Sequence, residues 1–196
     1  MEDIILCTKN KGKVKEFKEL FEGFKLDINL ISLDDLNDND EVIEDGNSFS
    51  QNAYIKAHYY YEKHQKCVIA DDSGLCIDYL GGMPGINSAR YSGMGPKENI
   101  KKVLGLMKEV INRSAHFTCV LCFIDEKGKV DYFEGRVDGS IAYTETGDNG
   151  FGYDPIFIVN HNGKNISMAS LSEGEKNKIS HRYQAILSFA SWYKAK

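Results

Sequence analysis

Side chains that could bind phosphate are clustered near the start of the chain, in the run Thr8-Lys9-Asn10-Lys11-Gly12-Lys13. A hydroxyl, an amide and an ammonium, from Thr8, Asn10 and Lys13, suit phosphate oxygens, and a helix N-terminus would add unpaired N–H groups. The run is not a Walker loop, because the earlier glycine is missing and Val14 stands where Ser or Thr would bind magnesium. Taken alone, a capped surface helix with solvated lysines explains it more simply.

Two adjacent carboxylates follow a short apolar run, Cys67-Val68-Ile69-Ala70. The apolar run predicts a buried strand, and the sequence Asp71-Asp72-Ser73-Gly74 predicts a polar loop at its carboxyl end, where α/β sheets favour ligands. Neighbours in an extended backbone point to opposite faces, so one aspartate could enter a site while the other anchors the loop through backbone hydrogen bonds. Mg²⁺ takes one or two protein carboxylates, which Glu41 or Glu44 could complete. A simple turn is an equally good explanation.

Three glycines within six residues mark the segment Gly147-Asp148-Asn149-Gly150-Phe151-Gly152-Tyr153-Asp154-Pro155. Glycine lets the backbone approach a ligand closely or adopt positive φ, and Phe151 and Tyr153 offer ring faces on which a base could stack. The glycine order is not that of a Rossmann fingerprint. A strained turn before a strand is the competing interpretation.

Donor-rich side chains recur near the C-terminus, at Lys176 and in Ser180-His181-Arg182. At a helix start they would suit an oxygen atom of a ligand. A surface helix with charged pairs three and four residues apart explains them more simply. Each of the four motifs is polar and compatible with a phosphate or a base, so together they predict a nucleotide site.

The charge balance limits the class of partner. The chain has 24 basic and 29 acidic residues, for a formal charge of −5. This charge repels a phosphate backbone and argues against binding to nucleic acid or to an anionic membrane. One cluster of lysines leaves an RNA-binding protein as an alternative: Lys9, Lys11, Lys13, Lys15 and Lys18.

Length and composition favour one domain over residues 1–196, because no linker, repeat or low-complexity tract divides the chain. An odd number of cysteines, five, favours the reducing cytoplasm over a secreted disulfide framework. Cys119 and Cys122 have zinc-like spacing, but strand periodicity places them on opposite faces and predicts core positions. The longest apolar run, Cys119 to Ile124, is six residues, and the start Met1-Glu2-Asp3 lacks a signal peptide's features. Neither export nor a membrane span is expected.

The elements expected around these motifs alternate between strand and helix, which predicts an α/β fold. The expected strands are Ile4–Cys7, Leu26–Leu33, Cys67–Ala70, a hairpin of Ala115–Asp125 with Val130–Val137, and Ile156–Val159. Helices are expected after the cap Asn10, from the capping box of Ser48 and Gln51 to about Lys63, and over Pro96–Ile111. A further capping box, Ser172 with Glu175, predicts a helical tail containing Ile179 and Ile186.

Six motifs resemble those of a known family and follow one another along almost the whole chain. They are Thr8-x-Asn10-x-x-Lys13, Glu44-x-Gly46-x-Ser48-Phe49-x-x-Asn52-Ala53-x-x-Lys56-Ala57, Ala70-Asp71-Asp72-Ser73-Gly74-Leu75, Gly81-Gly82-x-Pro84-Gly85-Ile86-x-Ser88-Ala89-Arg90-Tyr91, Gly150-Phe151-Gly152-Tyr153-Asp154-Pro155 and Ser180-His181-Arg182. The family is that of the nucleoside-triphosphate pyrophosphatases that remove non-standard purines, the inosine/xanthosine triphosphate type.

The resemblance implies an elongated α/β protein in which two lobes flank an active-site cleft around a long, twisted mixed β-sheet with flanking helices. It also implies a homodimer, with Mg²⁺ as cofactor. The implied reaction converts ITP, dITP or XTP into the nucleoside monophosphate and pyrophosphate, which removes these triphosphates from the nucleotide pool.

The same resemblance implies roles for individual residues. Asp72 corresponds to the general base and a metal ligand, Glu44 to the second metal carboxylate, and Ser73 to a residue against the substrate. The phosphate-binding groups correspond to Thr8, Asn10, Lys13, Lys56 and Lys176. The purine pocket corresponds to Phe151, Gly152, Tyr153, Asp154, His181 and Arg182.

The chain departs from the family's pattern at Ile43, Asp45, Asn87 and Asn149. The first two flank Glu44, so Glu41 stays an alternative metal ligand. The other two bear on loop geometry and base preference, while the expected reaction is unaffected. The related septum-associated pyrophosphatases, which have a similar fold and prefer other nucleotides, stay an alternative for the substrate.

Overall fold

A seven-stranded β-sheet organises the fold, and the computed structural model describes residues 1–196. The strands are β1 (Glu2–Leu6), β2 (Ile28–Ser32), β3 (Val68–Ile77), β4 (Ser114–Ile124), β5 (Val130–Ile141), β6 (Phe157–His161) and β7 (Lys164–Ser167). Their order in the sheet is β2-β1-β3-β4-β5-β6-β7. Strand β1 is parallel to β2 and β3, whereas β6 is antiparallel to β5 and β7. The sheet is therefore mixed, and the expected α/β class is confirmed.

Five α-helices accompany the sheet: α1 (Lys11–Gly23), α2 (Phe49–His64), α3 (Pro96–Leu106), α4 (Glu173–Lys176) and α5 (His181–Lys194). The predicted caps of the first two are confirmed, because Asn10 accepts from the backbone N–H of Lys13 and Ser48 from that of Gln51. The Gln51 side chain, however, accepts from Asn47 rather than from Ser48, at 2.7 Å. The capping box of Ser172 and Glu175 is complete.

The chain divides into two compact units. The first unit comprises Met1–Asp72, Cys119–Gly135 and Arg182–Lys196, and the second comprises Ser73–Thr118 and Arg136–His181. The expectation of one domain over residues 1–196 stays a prediction. In the first unit, Phe17, Phe21, Phe123 and Phe189 belong to one core cluster. In the second, Val103, Phe117, Phe157 and other buried residues form another.

The polar loop expected at Asp71-Asp72-Ser73-Gly74 is not found, because these residues lie inside β3. The strand continues since apolar residues follow, Leu75 to Ile77, and all three are buried. Asp71 also lies against the positive side chains of Lys13 and Arg182, so its charge does not require a turn. The prediction of a strand end at Ala70 is therefore wrong.

The C-terminal part of α3 and the tail also differ from expectation. Helix α3 ends at Leu106 rather than at residue 111, because the Arg113 guanidinium donates to the carbonyls of Met107 and Val110, at 2.6 and 3.2 Å. These two carbonyls lie just beyond the helix, where the guanidinium satisfies them without a further helical turn. The tail is two helices, with Ile179 between them, and strand β7 was not expected.

All five cysteines are free and buried, Cys119 and Cys122 among them. No helix of the chain combines the length and apolar character needed to cross a bilayer.

Candidate active site

The predicted phosphate-binding loop connects β1 to α1 in the first unit. The backbone N–H of Asn10 donates to Oγ1 of Thr8 at 3.2 Å, and the N–H of Lys13 donates to Oδ1 of Asn10 at 3.1 Å. These bonds make a tight turn that begins a helix of 13 residues. A helix N-terminus of this kind carries partial positive charge and suits an anion.

Lys13 does not point into solvent, as a solvated surface helix would require. Its Nζ lies 2.8 Å from Oδ2 of Asp71, a fully buried carboxylate on β3. The same oxygen lies 3.4 Å from Nη2 of Arg182. Although burial raises the pKa of Asp71, the charges of Lys13 and Arg182 lower it well below its ordinary value. Asp71 therefore orients two candidate ligand-binding cations rather than anchoring a loop.

Sequence reasoning missed Glu16, which completes this buried network. Its carboxylate accepts from Nη1 of Arg182, a side chain that is 1% exposed. A signal was present in the sequence, because an acidic residue at position 16 falls on the apolar face of α1 with Phe17 and Leu20. Charged residues are rarely buried unless paired, so such a position indicates a partner.

Asp72 follows Asp71 in β3 and differs from it electrostatically. Burial raises the pKa of Asp72 to about 6, an effect that Lys56 and Lys13 oppose and that the charge of Glu44 reinforces. A carboxylate with a pKa near neutrality can exchange a proton during catalysis. Asp72 thus has the chemistry expected of a general base.

Glu44 and Lys56 form a pair in which Nζ lies 2.6 Å from Oε1. Lys56 lies on α2, and burial opposes its charge, but Asp71 and Glu44 nevertheless raise its pKa. A cavity of about 260 Å³ is lined by Thr8, Glu41, Glu44 and Lys56 among others. The structure therefore brings a hydroxyl, an ammonium and two alternative metal carboxylates together in the first unit.

The donor set suits Mg²⁺. The charge of Glu44 disfavours the ionised form of Asp72, a repulsion that a divalent cation would relieve. No three His, Cys, Asp or Glu side chains are grouped as a complete protein cage for a metal. Mg²⁺ commonly takes one or two carboxylates and fills its remaining positions with water and phosphate oxygens.

The predicted base loop lies in the second unit and is organised by Asp154. Its Oδ2 accepts from Nζ of Lys176 at 2.6 Å and from the backbone N–H of Phe151 at 3.0 Å. The Lys176 ammonium also lies 4.6 Å from the centre of the Phe151 ring. Gly150 has a φ of +74°, and a Cβ there would collide with Oδ2 of Asp154. Glycine is therefore required for the loop to close over Asp154.

Tyr153 does not offer an exposed ring face. The residue is 6% exposed, belongs to the core of the second unit, and its hydroxyl donates to the carbonyl of Ser88 at 2.7 Å. Phe151 is half-buried, and so is Gly152, the residue between Phe151 and Tyr153 in the sequence. The structure therefore retains Phe151 as the candidate stacking surface and makes Tyr153 a support for the loop.

The donors near the C-terminus do not form a surface helix. Helix α5 begins at His181, but Lys176, His181 and Arg182 are all buried. The His181 ring stacks on Phe117, with centroids 4.8 Å apart and planes at 14°. Such stacking fixes the plane of the imidazole and the direction of its nitrogens. Ser73 lies half-buried in β3.

The predicted site residues divide between the units. The first unit holds Thr8, Asn10, Lys13, Glu44, Lys56, Asp72 and Arg182, and the second holds Ser73, Phe151, Gly152, Tyr153, Asp154, Lys176 and His181. The groups suited to phosphate and metal are thus concentrated in the first unit, and the base loop lies in the second.

Similarity to known proteins covers almost the whole chain. A sequence model of the Ham1 family matches residues 4–192. A dITP/XTP pyrophosphatase of Bacillus licheniformis is 46% identical over 192 residues, which cover 95% of each chain. The Staphylococcus aureus Ham1 protein has a TM-score of 0.87 at 37% identity and 99% coverage of both chains, and a HAM1 protein from Coxiella burnetii has 0.88 at 35% identity and 100% coverage. The chain therefore belongs to the Ham1 family.

Proposed function

We propose that the chain hydrolyses non-canonical purine nucleoside triphosphates, namely dITP, XTP and ITP, to the nucleoside monophosphate and pyrophosphate. The observation that carries this proposal is the 46% identity to a dITP/XTP pyrophosphatase over 95% of both chains. The local chemistry of the motifs supports it, because phosphate-binding cations, a carboxylate base and a base loop all occur in the same chain.

The triphosphate is bound by Thr8, Asn10, Lys13 and Lys56. Cleavage between the α and β phosphates builds negative charge on phosphoryl oxygens, which ammonium groups and a helix N-terminus stabilise. Lys13 is already oriented by Asp71, at 2.8 Å, so binding requires little further ordering of its long side chain. Little conformational entropy of the Lys13 side chain is therefore lost when the transition state forms.

Asp72 orients the attacking water and accepts its proton. The water oxygen forms the new bond to phosphorus, the anhydride bond breaks, and pyrophosphate leaves with the bonding electrons. Asp72 and Glu44 would hold Mg²⁺, which neutralises charge on the phosphates when it is bound. Glu41, which lines the same cavity as Glu44, is the alternative ligand.

The base is bound by Phe151, through stacking, and by donors that include His181 and Arg182. A 6-oxo purine presents an acceptor to such donors, whereas the 6-amino group of adenine would leave them unpaired, and sites of this kind discriminate by about 10⁴. Lys176, which the family resemblance assigns to the phosphates, is proposed instead to hold Asp154 and the base loop. Ser73 lies against the substrate, and Gly152 and Tyr153 shape the loop.

We further propose that the protein acts in the cytoplasm as a homodimer. An RNA-binding role receives less support, because three lysines of the N-terminal cluster have partners within the chain. Lys13 pairs with Asp71, Lys9 donates to the carbonyl of Asn39 at 2.5 Å, and Lys18 lies 3.8 Å from Asp35. These contacts reduce the charge available to a phosphate backbone.

Steady-state release of pyrophosphate from ITP, dITP, XTP, GTP, ATP, dTTP and UTP, with and without Mg²⁺, tests the proposal. Turnover of ITP, dITP and XTP well above that of ATP, and only with Mg²⁺, is the expected result. Dominant turnover of dTTP or UTP would assign the chain to the septum-associated type of substrate, and no turnover at all would reject the enzymatic role. Sedimentation equilibrium tests the dimer separately.

A further inference from the structure

A single face of α2 holds the segment that carries the candidate metal carboxylates. This segment, residues 38–46, has no helix or strand. Its partners on α2 recur three and four positions apart, which places them on one side of a helix: Asn52, Lys56, Tyr59, Tyr60, Lys63 and His64. We call this set the polar stripe of α2.

The segment runs along the polar stripe in the opposite direction to the helix. At its start, Oδ2 of Asp38 lies 2.8 Å from Nζ of Lys63 and 2.8 Å from Nε2 of His64. Further along, Oδ2 of Asp40 accepts from Lys63 and from the Tyr59 hydroxyl, at 2.6 Å each. Lys63 thus joins the two aspartates.

The later part of the segment meets the earlier turns of the helix. Oε1 of Glu44 lies 2.6 Å from Nζ of Lys56, and the backbone N–H of Gly46 donates to Oδ1 of Asn52 at 2.8 Å. A Cβ on Gly46 would lie 2.7 Å from that same oxygen, so the backbone approaches the helix more closely than a side chain would permit. The segment is therefore fixed at both ends.

Residues 38–46 lack the regular backbone hydrogen bonds of a helix or strand, and hydrogen bonds to side chains hold the segment instead. The Tyr60 hydroxyl donates to the carbonyl of Asp40 at 3.0 Å, and the Asp40 N–H donates to Oδ1 of Asp38 at 3.1 Å. Asp40 and Tyr60 also line the cavity that contains Glu41 and Glu44. Between the fixed ends, Ile43 is 80% exposed and contributes little packing of its own.

We infer that Lys63 and Tyr59 are positioning residues for metal binding, acting through Asp38 and Asp40 on the path of residues 41–44. This inference rests on the proposed function, because it takes Glu44 or Glu41 as a metal ligand. Some groups orient the ligands of a metal without touching the metal themselves. Removing such a group commonly lowers the protein's affinity for the metal by about 10–100-fold.

Lys63→Met tests the inference, because it removes the ammonium while keeping an unbranched apolar side chain in the last turn of α2. Titration of the metal-free protein with Mn²⁺, followed by electron paramagnetic resonance, is expected to show an affinity about tenfold weaker than in the wild type. Hydrogen exchange over residues 38–46 is expected to accelerate, and the Mg²⁺ concentration for half-maximal hydrolysis to rise, with kcat at saturating Mg²⁺ retained. Tyr59→Phe, which removes only one hydroxyl, is expected to have a smaller effect of the same kind.

Two further variants separate positioning from general stability. Lys63→Arg keeps the charge and is expected to restore most of the Mn²⁺ affinity. Lys101→Met removes a lysine that also lies 2.6 Å from a carboxylate, that of Glu98 in α3, and is expected to leave Mn²⁺ binding unchanged. Thermal unfolding of every variant shows whether each one is folded under the conditions of the titration.

Unchanged Mn²⁺ affinity in both Lys63→Met and Tyr59→Phe would overturn the inference, as would an Arg variant as weak as the Met variant. A wild-type chain that binds no Mn²⁺ would overturn it too. These outcomes are distinct from failure of the proposed function, which is measured by pyrophosphate release from the wild-type protein alone.

Discussion

Nζ of Lys13 and Oδ2 of Asp71 lie 2.8 Å apart, and this pair connects the first helix to the third strand at the candidate phosphate site. Arg182 reaches the same oxygen, at 3.4 Å, and also donates to Glu16. Two candidate ligand-binding cations therefore share one buried carboxylate. The shared partner couples the orientation of Lys13 to that of Arg182, so a change at either carboxylate is expected to affect both stability and catalysis.

Glu16→Gln should destabilise the protein and lower its kcat/KM. Removing one partner of a buried ion pair leaves an uncompensated charge and typically costs about 3–5 kcal/mol, here at Arg182. Thermal unfolding and ITP kinetics measure the two effects. Glu19→Gln is the matched control, since it makes the same change on the same helix at a more exposed pair, 3.9 Å from Lys15. Equal stability of the two variants would contradict a structural role for Glu16.

Asp72→Asn should abolish Mg²⁺-dependent hydrolysis without unfolding the protein. The amide keeps the volume of the side chain but can neither accept the proton nor offer the metal a charged oxygen, and general-base catalysis alone contributes about 10²–10⁴-fold. Pyrophosphate release and thermal unfolding are the measurements. Activity near that of the wild type would remove Asp72 from the role of base.

The pH dependence should follow the raised pKa of Asp72, about 6. The base must be ionised, so kcat/KM is expected to fall as the pH drops below this value, and higher Mg²⁺ should shift the acidic limb to lower pH because a cation favours the carboxylate. The free energy of unfolding depends on pH in the opposite direction. Because the pKa of Asp72 is raised in the folded protein, the protonated form stabilises the native state. This stabilisation is present below the ordinary pKa of aspartate and is lost as pH rises through about 6.

Profiles of kcat/KM against pH at two Mg²⁺ concentrations, with Tm measured for the metal-free wild type and Asp72→Asn, separate these effects. The stability of the Asn variant relative to the wild type should increase with pH across the window. If the acidic limb of the kcat/KM profile does not move with Mg²⁺ concentration, the group that titrates there is not a metal ligand.

Gly150→Ala should raise the KM for ITP by disrupting the base loop. Its φ of +74° strains any other residue by about 1–2 kcal/mol, and the new Cβ would collide with Oδ2 of Asp154. Gly105→Ala is the control, because nothing lies within 4 Å of a Cβ at that position, in α3. There alanine should be neutral or stabilising, by up to about 1 kcal/mol. The prediction fails if ITP kinetics are the same in both variants.

Local patterns were sufficient where the relevant interactions are local. The caps at Asn10 and Ser48, the capping box at Ser172 and the hairpin strands follow from short-range hydrogen bonds and from apolar periodicity, so the sequence predicted them. Ordered motifs also indicated the family, because residue types and spacing are properties of the chain alone. The α/β class followed in the same way, from the alternation of elements.

Tertiary structure alone decided which charges are buried and with whom. Asp71 looked like a loop residue and Arg182 like a surface one, but both are buried because Lys13 and Glu16 supply opposite charges from a helix distant in sequence. Tyr153 lies in the core for a similar reason, because its buried hydroxyl donates a hydrogen bond to the carbonyl of Ser88. The stability of a buried polar group depends on partners that only folding brings near, and residue spacing along the chain does not contain that information.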